Sequence, residues 1–240
     1  MTVSRTTARG SISRSFCQKD ILTVVSGRRN PAGFFILIFV KKSYMPKSII
    51  EEKCSRCGQV HRMEFDGSVD ALASPEAKEK VKNGEYFVWR CPDCGCVNLI
   101  HRPFLYHDPQ ERLMILMTDA PVKAEGLPEG YTGRIVRSPG ELIEKMKIFD
   151  AGLDDVAVEM CKFVTLRELG KDVQLKFFKM DGADSEMTFT YPQDGNMEMI
   201  SVGFNVYEDC AGILQRNPAI KEAARGLVEV GPDWLSNYIG

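Results

Sequence analysis

Apolar and polar residues alternate over three stretches late in the chain: Val173, Leu175 and Phe177; Met187, Phe189 and Tyr191; and Ile200, Val202, Phe204 and Val206. A period of two marks strands with one buried face. Asp181-Gly182 and the run Pro192-Gln193-Asp194-Gly195-Asn196 separate them, so an antiparallel meander is expected. Upstream the period lengthens. Ser138-Pro139-Gly140-Glu141 is a capping box with proline at the first helical position, predicting a helix through Phe149. A second helix over residues 153–169 stops at Gly170, with Val156, Met160, Phe163 and Val164 as its apolar stripe. The two read as a helical hairpin. Residues 112–118 are almost continuously apolar, as in a buried strand. Residues 207–240 return to helical spacing, broken at Asn217-Pro218, with Trp234 as an anchor.

The chemistry lies in the cysteines. Of eight, four fall into two matched units, Cys54-Ser55-Arg56-Cys57-Gly58 and Cys91-Pro92-Asp93-Cys94-Gly95. A C-x-x-C turn points two thiolates at one ion, and the glycine that follows permits the left-handed backbone that aims amide N–H groups at sulfur. Two such turns complete a tetrahedral, closed and therefore structural zinc site. Cys54, Cys57, Cys91 and Cys94 are the predicted Zn²⁺ ligands.

The units are separated by 33 residues, longer than a compact ribbon needs. A strand over 59–65, a helix opened by Ser74-Pro75-Glu76 and stopped at Gly84, and a returning strand over 85–90 account for the gap. The expected architecture is thus α+β: a zinc-ribbon-like β module with an inserted helix, the helical hairpin, then the meander with terminal helices.

Other readings of the thiols compete. A thioredoxin-like redox site opens a helix and needs one motif, whereas here glycine and strand-like residues follow each of two. Inert core thiols would not require the repeated glycine. Cys96 stands two residues past Cys94 and reads as a core-facing strand residue. His61 and His101 flank the turns as reserve ligands that four thiolates leave unused. A catalytic zinc keeps an open position, and nucleobase deaminases carry H-x-E before P-C-x-x-C. Here His61-Arg62-Met63-Glu64 has the wrong spacing and Pro92 lies inside the second motif. H-E-x-x-H, the G-x-S-x-G elbow and a phosphate-binding glycine loop are all missing. His107-Asp108 is the one candidate acid–base pair, although such a pair is more often a turn with a local hydrogen bond.

Charge divides the chain. Residues 1–44 carry 8 basic side chains and 1 acidic one, a net of +7, while residues 45–240 carry 23 and 32, a net of −9. The formal total of −2 describes neither. The first segment is rich in Ser, Thr and Arg, and its apolar run from Phe34 to Val40 is too short to span a bilayer. Residues 1–44 read as a poorly ordered basic leader, either presequence-like or an extension upstream of a natural start at Met45. An acidic body disfavours capture of nucleic acid, whose phosphates demand clustered Lys and Arg.

The motif C-x-x-C-G, then SPEAKEKVKNGEYFVWRCPDCG, then NLIHRPFLYHDPQERLMI resembles the CpXC domain, a bacterial and archaeal domain named for its Cys-Pro-x-Cys motif. The likeness continues through Arg134 to Ser138 and ELIEKMKIFDAGLDD, covering about residues 48 to 165. It implies a zinc-ribbon-like module with two cysteine pairs at Cys54, Cys57, Cys91 and Cys94, and implies no activity. It also favours the upstream-extension reading of the leader.

Three regions are therefore expected: the leader over 1–44, a CpXC-like zinc-binding domain over 45–170 and a small α+β region over 171–240. The leading functional expectation is a cytoplasmic zinc protein whose structural site supports a surface for a protein partner, with no membrane association; nothing in the motifs compels an enzyme. One alternative is a metal-dependent hydrolase using His107 and Asp108. The other is a nucleic-acid-binding ribbon whose aromatics, Tyr86, Phe87, Trp89, Phe104 and Tyr106, stack bases.

Overall fold

The computed structural model of the chain describes residues 20–25, 36–41, 47–124, 127–182 and 185–239. It contains both helices and sheets, so the α+β class holds. The expectation for residues 1–44 falls largely outside the described residues. Within that stretch the backbone forms two antiparallel strands, Asp20–Val25 and Ile36–Lys41, and the second runs parallel to Val122–Ala124.

Each cysteine turn sits at the tip of a hairpin. Ser48–Lys53 pairs antiparallel with Val60–Phe65 around the first, and Val88–Arg90 with Val97–Leu99 around the second. The insertion is built as expected in outline, with helix α1 over Pro75–Lys82. Two details differ. Ser74 makes no side-chain cap; the Asp70 carboxylate accepts instead from the N–H groups of Leu72 and Ala73 just before the helix. Residues 85–87 form a 3-10 turn, because the Phe87 N–H is taken by the Gly84 carbonyl at 3.2 Å and the ladder begins only at Val88. Phe87 is buried edge-on against Phe104, with Tyr86 and Phe65 around them. Trp89 and Tyr106 are buried too, so these aromatics pack the core and offer no stacking platform.

Behind the hairpins lies a five-stranded mixed sheet in the spatial order Leu227–Val228, Thr132–Val136, Leu113–Met117, Phe104–Asp108 and Ser68–Asp70. Leu113–Met117 is buried along its whole length, as its apolar run predicts. Three of the four pairings are parallel. Periodicity gave no sign of them, since parallel partners lie far apart in sequence and short strands carry little pattern.

Helices α2 (Pro139–Asp150) and α3 (Asp155–Leu169) are the predicted hairpin. The Ser138 hydroxyl accepts from the Glu141 N–H, and the Glu141 carboxylate reaches back to the N–H of Arg137. The stripe on α3 differs from expectation: Val156 and Met160 are buried, but Phe163 and Val164 are 36% and 39% exposed. The first two turns of α3 are instead enclosed all round, between α2 and the C-terminal elements.

The meander comprises Lys176–Asp181, Glu186–Gln193 and Asn196–Gly203, with Met187, Phe189 and Tyr191 facing the core. Phe204 and Val206 do not continue the last strand. Gly203 pairs with Glu186, the first residue of its neighbour, so the ladder has no further partner and the chain enters helix α4 (Phe204–Arg216). Helices α5 (Pro218–Ala223) and α6 (Pro232–Leu235) follow, with Trp234 packed on the core. One apolar cluster runs from Ile148 to Leu235, straddling the boundary expected at residue 170. No helix among the described residues is long and apolar enough to cross a membrane.

Candidate metal centre

The two hairpin tips face each other and bring all four predicted ligands together. The sulfurs of Cys54, Cys57, Cys91 and Cys94 lie within 4.8 Å of one another, with Cys54–Cys94 and Cys57–Cys91 both at 3.6 Å. The turns are built alike. Cys54 N–H bonds the Gln59 carbonyl at 2.8 Å and Cys91 N–H the Cys96 carbonyl at 2.9 Å. Gly58 and Gly95 donate back to the carbonyls of Cys54 and Cys91, with φ of 75° and 69°. A side chain at either glycine would strain that left-handed backbone.

Burial is shared unevenly. Cys54 and Cys91, the first of each pair, are each 1% exposed, while Cys57 is exposed and Cys94 intermediate. Without metal, Cys54, Cys57 and Cys94 are pulled in opposite directions. The Cys57 backbone N–H, with those of Arg56 and the Asn98 amide, holds the Cys54 thiol down at about 6. At Cys94 the Cys96 backbone N–H favours the thiolate, but burial and the three neighbouring thiols outweigh it and push the group up to about 12. Cys57 is also shifted upward. A divalent cation removes this conflict by neutralising the accumulated thiolate charge. Four clustered sulfurs on knuckle turns, with N–H donors aimed at them, fit a tetrahedral thiophilic ion such as Zn²⁺.

A second tier surrounds the sulfurs. Buried Asn98 donates from Nδ2 to Cys54 Sγ at 3.6 Å and accepts from the N–H and hydroxyl of Ser55, both at 2.8 Å. His61 Nε2 lies 3.5 Å from Cys91 Sγ and 3.3 Å from an oxygen of Asp93, its ring tilted against Trp89. His61, Cys91 and Asp93 form another potential ligand group, but it shares Cys91 and therefore extends the four-sulfur centre. By sequence His61 is a reserve ligand and Asn98 has no assigned role. The signal was present: both stand four residues after the second cysteine of a turn. Cys96 is half-buried one residue before the strand Val97–Leu99 and not on it, its sulfur 3.8 Å from the Ser55 hydroxyl, outside the cluster of four. His101 is exposed and bonds the Arg137 carbonyl at 2.8 Å, away from the sulfurs.

His107 and Asp108 do not form an acid–base pair. They are successive residues of one strand, so their side chains point to opposite faces. Asp108 is 2% exposed and fully committed: it accepts from Lys78 Nζ at 2.8 Å, from the Tyr106 hydroxyl at 2.9 Å and from the N–H groups of Gln110 and Glu111. His107 contacts Asp70 at 3.1 Å and the Tyr131 hydroxyl at 3.3 Å. Burial raises the Tyr131 pKa, the wrong direction for an activated nucleophile.

The CpXC protein family model matches residues 53–162, a span that contains all four cysteines. Searches of curated proteins and of solved structures returned no match.

Proposed function

Starting from the match of residues 53–162 to the CpXC family, we propose that this chain is a zinc-binding protein. Its four-cysteine site is structural, a zinc ribbon that holds a surface for a protein partner. The single observation that carries this reading is the closed set of four sulfurs on two equivalent turns. Four protein ligands fill a tetrahedral shell and leave no position for a reacting water. The thiolates need a reducing compartment, which supports a cytoplasmic location.

The docking surface is the outer face of the second hairpin. Val88 and Leu99 are cross-strand partners, Val97 lies on the same face, and the three are 39%, 70% and 51% exposed. Apolar side chains gathered on one hairpin face mark an interaction surface more readily than scattered ones. Residues 111–240 carry 14 basic and 22 acidic side chains, which favours a protein over nucleic acid.

The reading is tested on the full chain purified under reducing conditions. Metal analysis is expected to give one zinc per chain, and Cys54→Ser or Cys91→Ser to abolish both zinc retention and hairpin order. Partners captured from native cells are expected to be lost with Val97→Glu/Leu99→Glu, a pair that leaves zinc in place. A protein without zinc, or capture of nucleic acid alone, would defeat the proposal.

A further inference from the structure

His61 turns Nε2 toward two groups at once, Cys91 Sγ at 3.5 Å and an oxygen of Asp93 at 3.3 Å. A neutral imidazole nitrogen carries one hydrogen or one lone pair, so it cannot bond both partners well. The oxygen also lies beyond the usual N–H···O optimum of about 2.9–3.0 Å. The distances match the edges of a coordination tetrahedron instead. Bonds from zinc of about 2.3 Å to sulfur and about 2.0–2.2 Å to nitrogen and oxygen set those edges at about 3.6 Å for N···S and about 3.4 Å for N···O. The same arithmetic gives about 3.8 Å for S···S, against the 3.6 Å of Cys54–Cys94 and Cys57–Cys91. The His61 group is thus as close to ligand geometry as the four sulfurs are.

Three further features point to an ion there. The ligand atoms of His61, Cys91 and Asp93 all lie within 4.8 Å of one another. Nδ1 of His61 has no partner among the described residues, so it can keep the proton while Nε2 offers its lone pair to a metal. The Trp89 ring, tilted at 59° with its centroid 5.6 Å away, holds the imidazole in that direction. Charge adds a reason. Four thiolates around one Zn²⁺ leave two negative charges, and Asp93 adds a third with no Lys or Arg paired to it among the described residues. A second divalent cation offsets most of that excess.

We propose that His61, Asp93 and Cys91 form a second zinc site, with the Cys91 thiolate bridging the two ions. The proposal rests on the four-cysteine reading, since Cys91 serves both sites. The two shells differ in kind. Four sulfurs close the first, whereas three protein ligands leave the second a position for water or an incoming ligand. The side chains of His61 and Asp93 are 20% and 55% exposed, so the second ion lies toward solvent and exchanges readily. It binds more weakly than the first, because it shares a ligand and faces a neighbouring cation.

The test is zinc titration of the full chain under reducing conditions, read by equilibrium dialysis and by the histidine ring nitrogens in ¹H–¹⁵N spectra. One ion is expected to survive dialysis against metal-free buffer, and a second to bind with a Kd of about 10 μM. The second equivalent should shift the Nε2 resonance of His61, as direct coordination requires. Asp93→Ala, on an exposed side chain, should weaken the second ion at least about tenfold and keep the first; His61→Ala should abolish the second. A chain that retains no tight zinc defeats the four-cysteine reading and this proposal with it. One tight ion and no second up to about 1 mM zinc overturns this proposal alone. A second ion at full affinity in both variants, an adventitious ion only, overturns it equally.

Discussion

His61 and Asn98 occupy equivalent places in the two turns. Each stands four residues past the second cysteine of its own turn and reaches the first cysteine of the other, at 3.5 and 3.6 Å. Each is braced in turn by a residue of the opposite knuckle, Asp93 for His61 and Ser55 for Asn98. The two pairs of cysteines are thereby cross-linked through their hydrogen-bonding partners as well as through any shared ion. Such outer partners hold thiolate ligands in place and temper their charge. His61→Ala and Asn98→Ala are each expected to lower zinc affinity by about 10–100-fold without loss of fold. Competition with a chromophoric chelator measures this; unchanged affinity in both variants would remove the second tier from the account.

Zinc uptake is expected to release protons. In the metal-free site Cys54 ionises near 6, while Cys57 and Cys94 are shifted upward, Cys94 to about 12. At neutral pH the Cys54 thiolate is therefore present and the protons of Cys57 and Cys94 must leave when metal binds. Apparent affinity rises with pH across the neutral range and falls further as pH drops below 6, where Cys54 is also protonated. Calorimetry in buffers of different ionisation enthalpy counts the protons. A pH-independent affinity between 6 and 8 would contradict the four-thiolate centre.

The centre was legible in the sequence because its determinants are local: two C-x-x-C-G turns specify their own backbone, and only the meeting of their tips needs the fold. The meander and the α2–α3 hairpin were legible for the same reason, through period and capping. What escaped was set by distant partners. Nothing near Leu227 announces a strand that pairs with Gly133, and nothing near Phe204 shows that its neighbouring strand has run out at Glu186. A buried ion network escaped too, since Arg134, Lys145 and Lys162 look like ordinary surface residues until α3 is enclosed.

His107 and Asp108 should separate cleanly on mutation. Asp108 organises the turn after its strand and anchors Lys78 of α1, so Asp108→Ala leaves buried donors unsatisfied and is expected to cost about 1–3 kcal/mol. His107→Ala, losing only half-exposed contacts, should cost less than about 1 kcal/mol. Burial alone would raise the Asp108 pKa, but Lys78, Tyr106 and the turn N–H groups prevail and hold it below the ordinary 3.8. With a folded value below the unfolded one, its stabilisation is complete above about pH 4 and fades as pH falls further. Urea melts of both variants between pH 3 and 7 test the order and the sign.

Asp155 neutralises two buried cations at once, and its pKa is held far below the usual range because Lys145 and Arg134 outweigh the penalty of burial. Asp155→Asn keeps the shape and removes the charge. Two desolvated cations would then share the carboxylates that remain, at an expected cost of about 3–5 kcal/mol. Chemical denaturation reads this directly, and a loss below 1 kcal/mol would show that the network is hydrated in solution.

Gly133 pairs with Leu227, and a Cβ at Gly133 would stand 2.9 Å from the Gly226 carbonyl oxygen, 3.1 Å from Leu227 Cα and 2.4 Å from a methyl of Leu127. The Leu127 side chain can turn away; the backbone of residues 226–227 cannot without leaving the sheet. Gly133→Ala is therefore expected to prise Leu227–Val228 from its neighbour and to cost about 1–3 kcal/mol, as overpacking does. The loosening should run on into Glu229 and α6, which continue the same segment, while the cysteine hairpins, remote from that edge, stay ordered. Hydrogen exchange resolves the two regions: faster exchange at 227–235 with unchanged protection at 88–99 is the expected pattern. Equal loss in both would mean that the strand supports the whole molecule, not its edge alone.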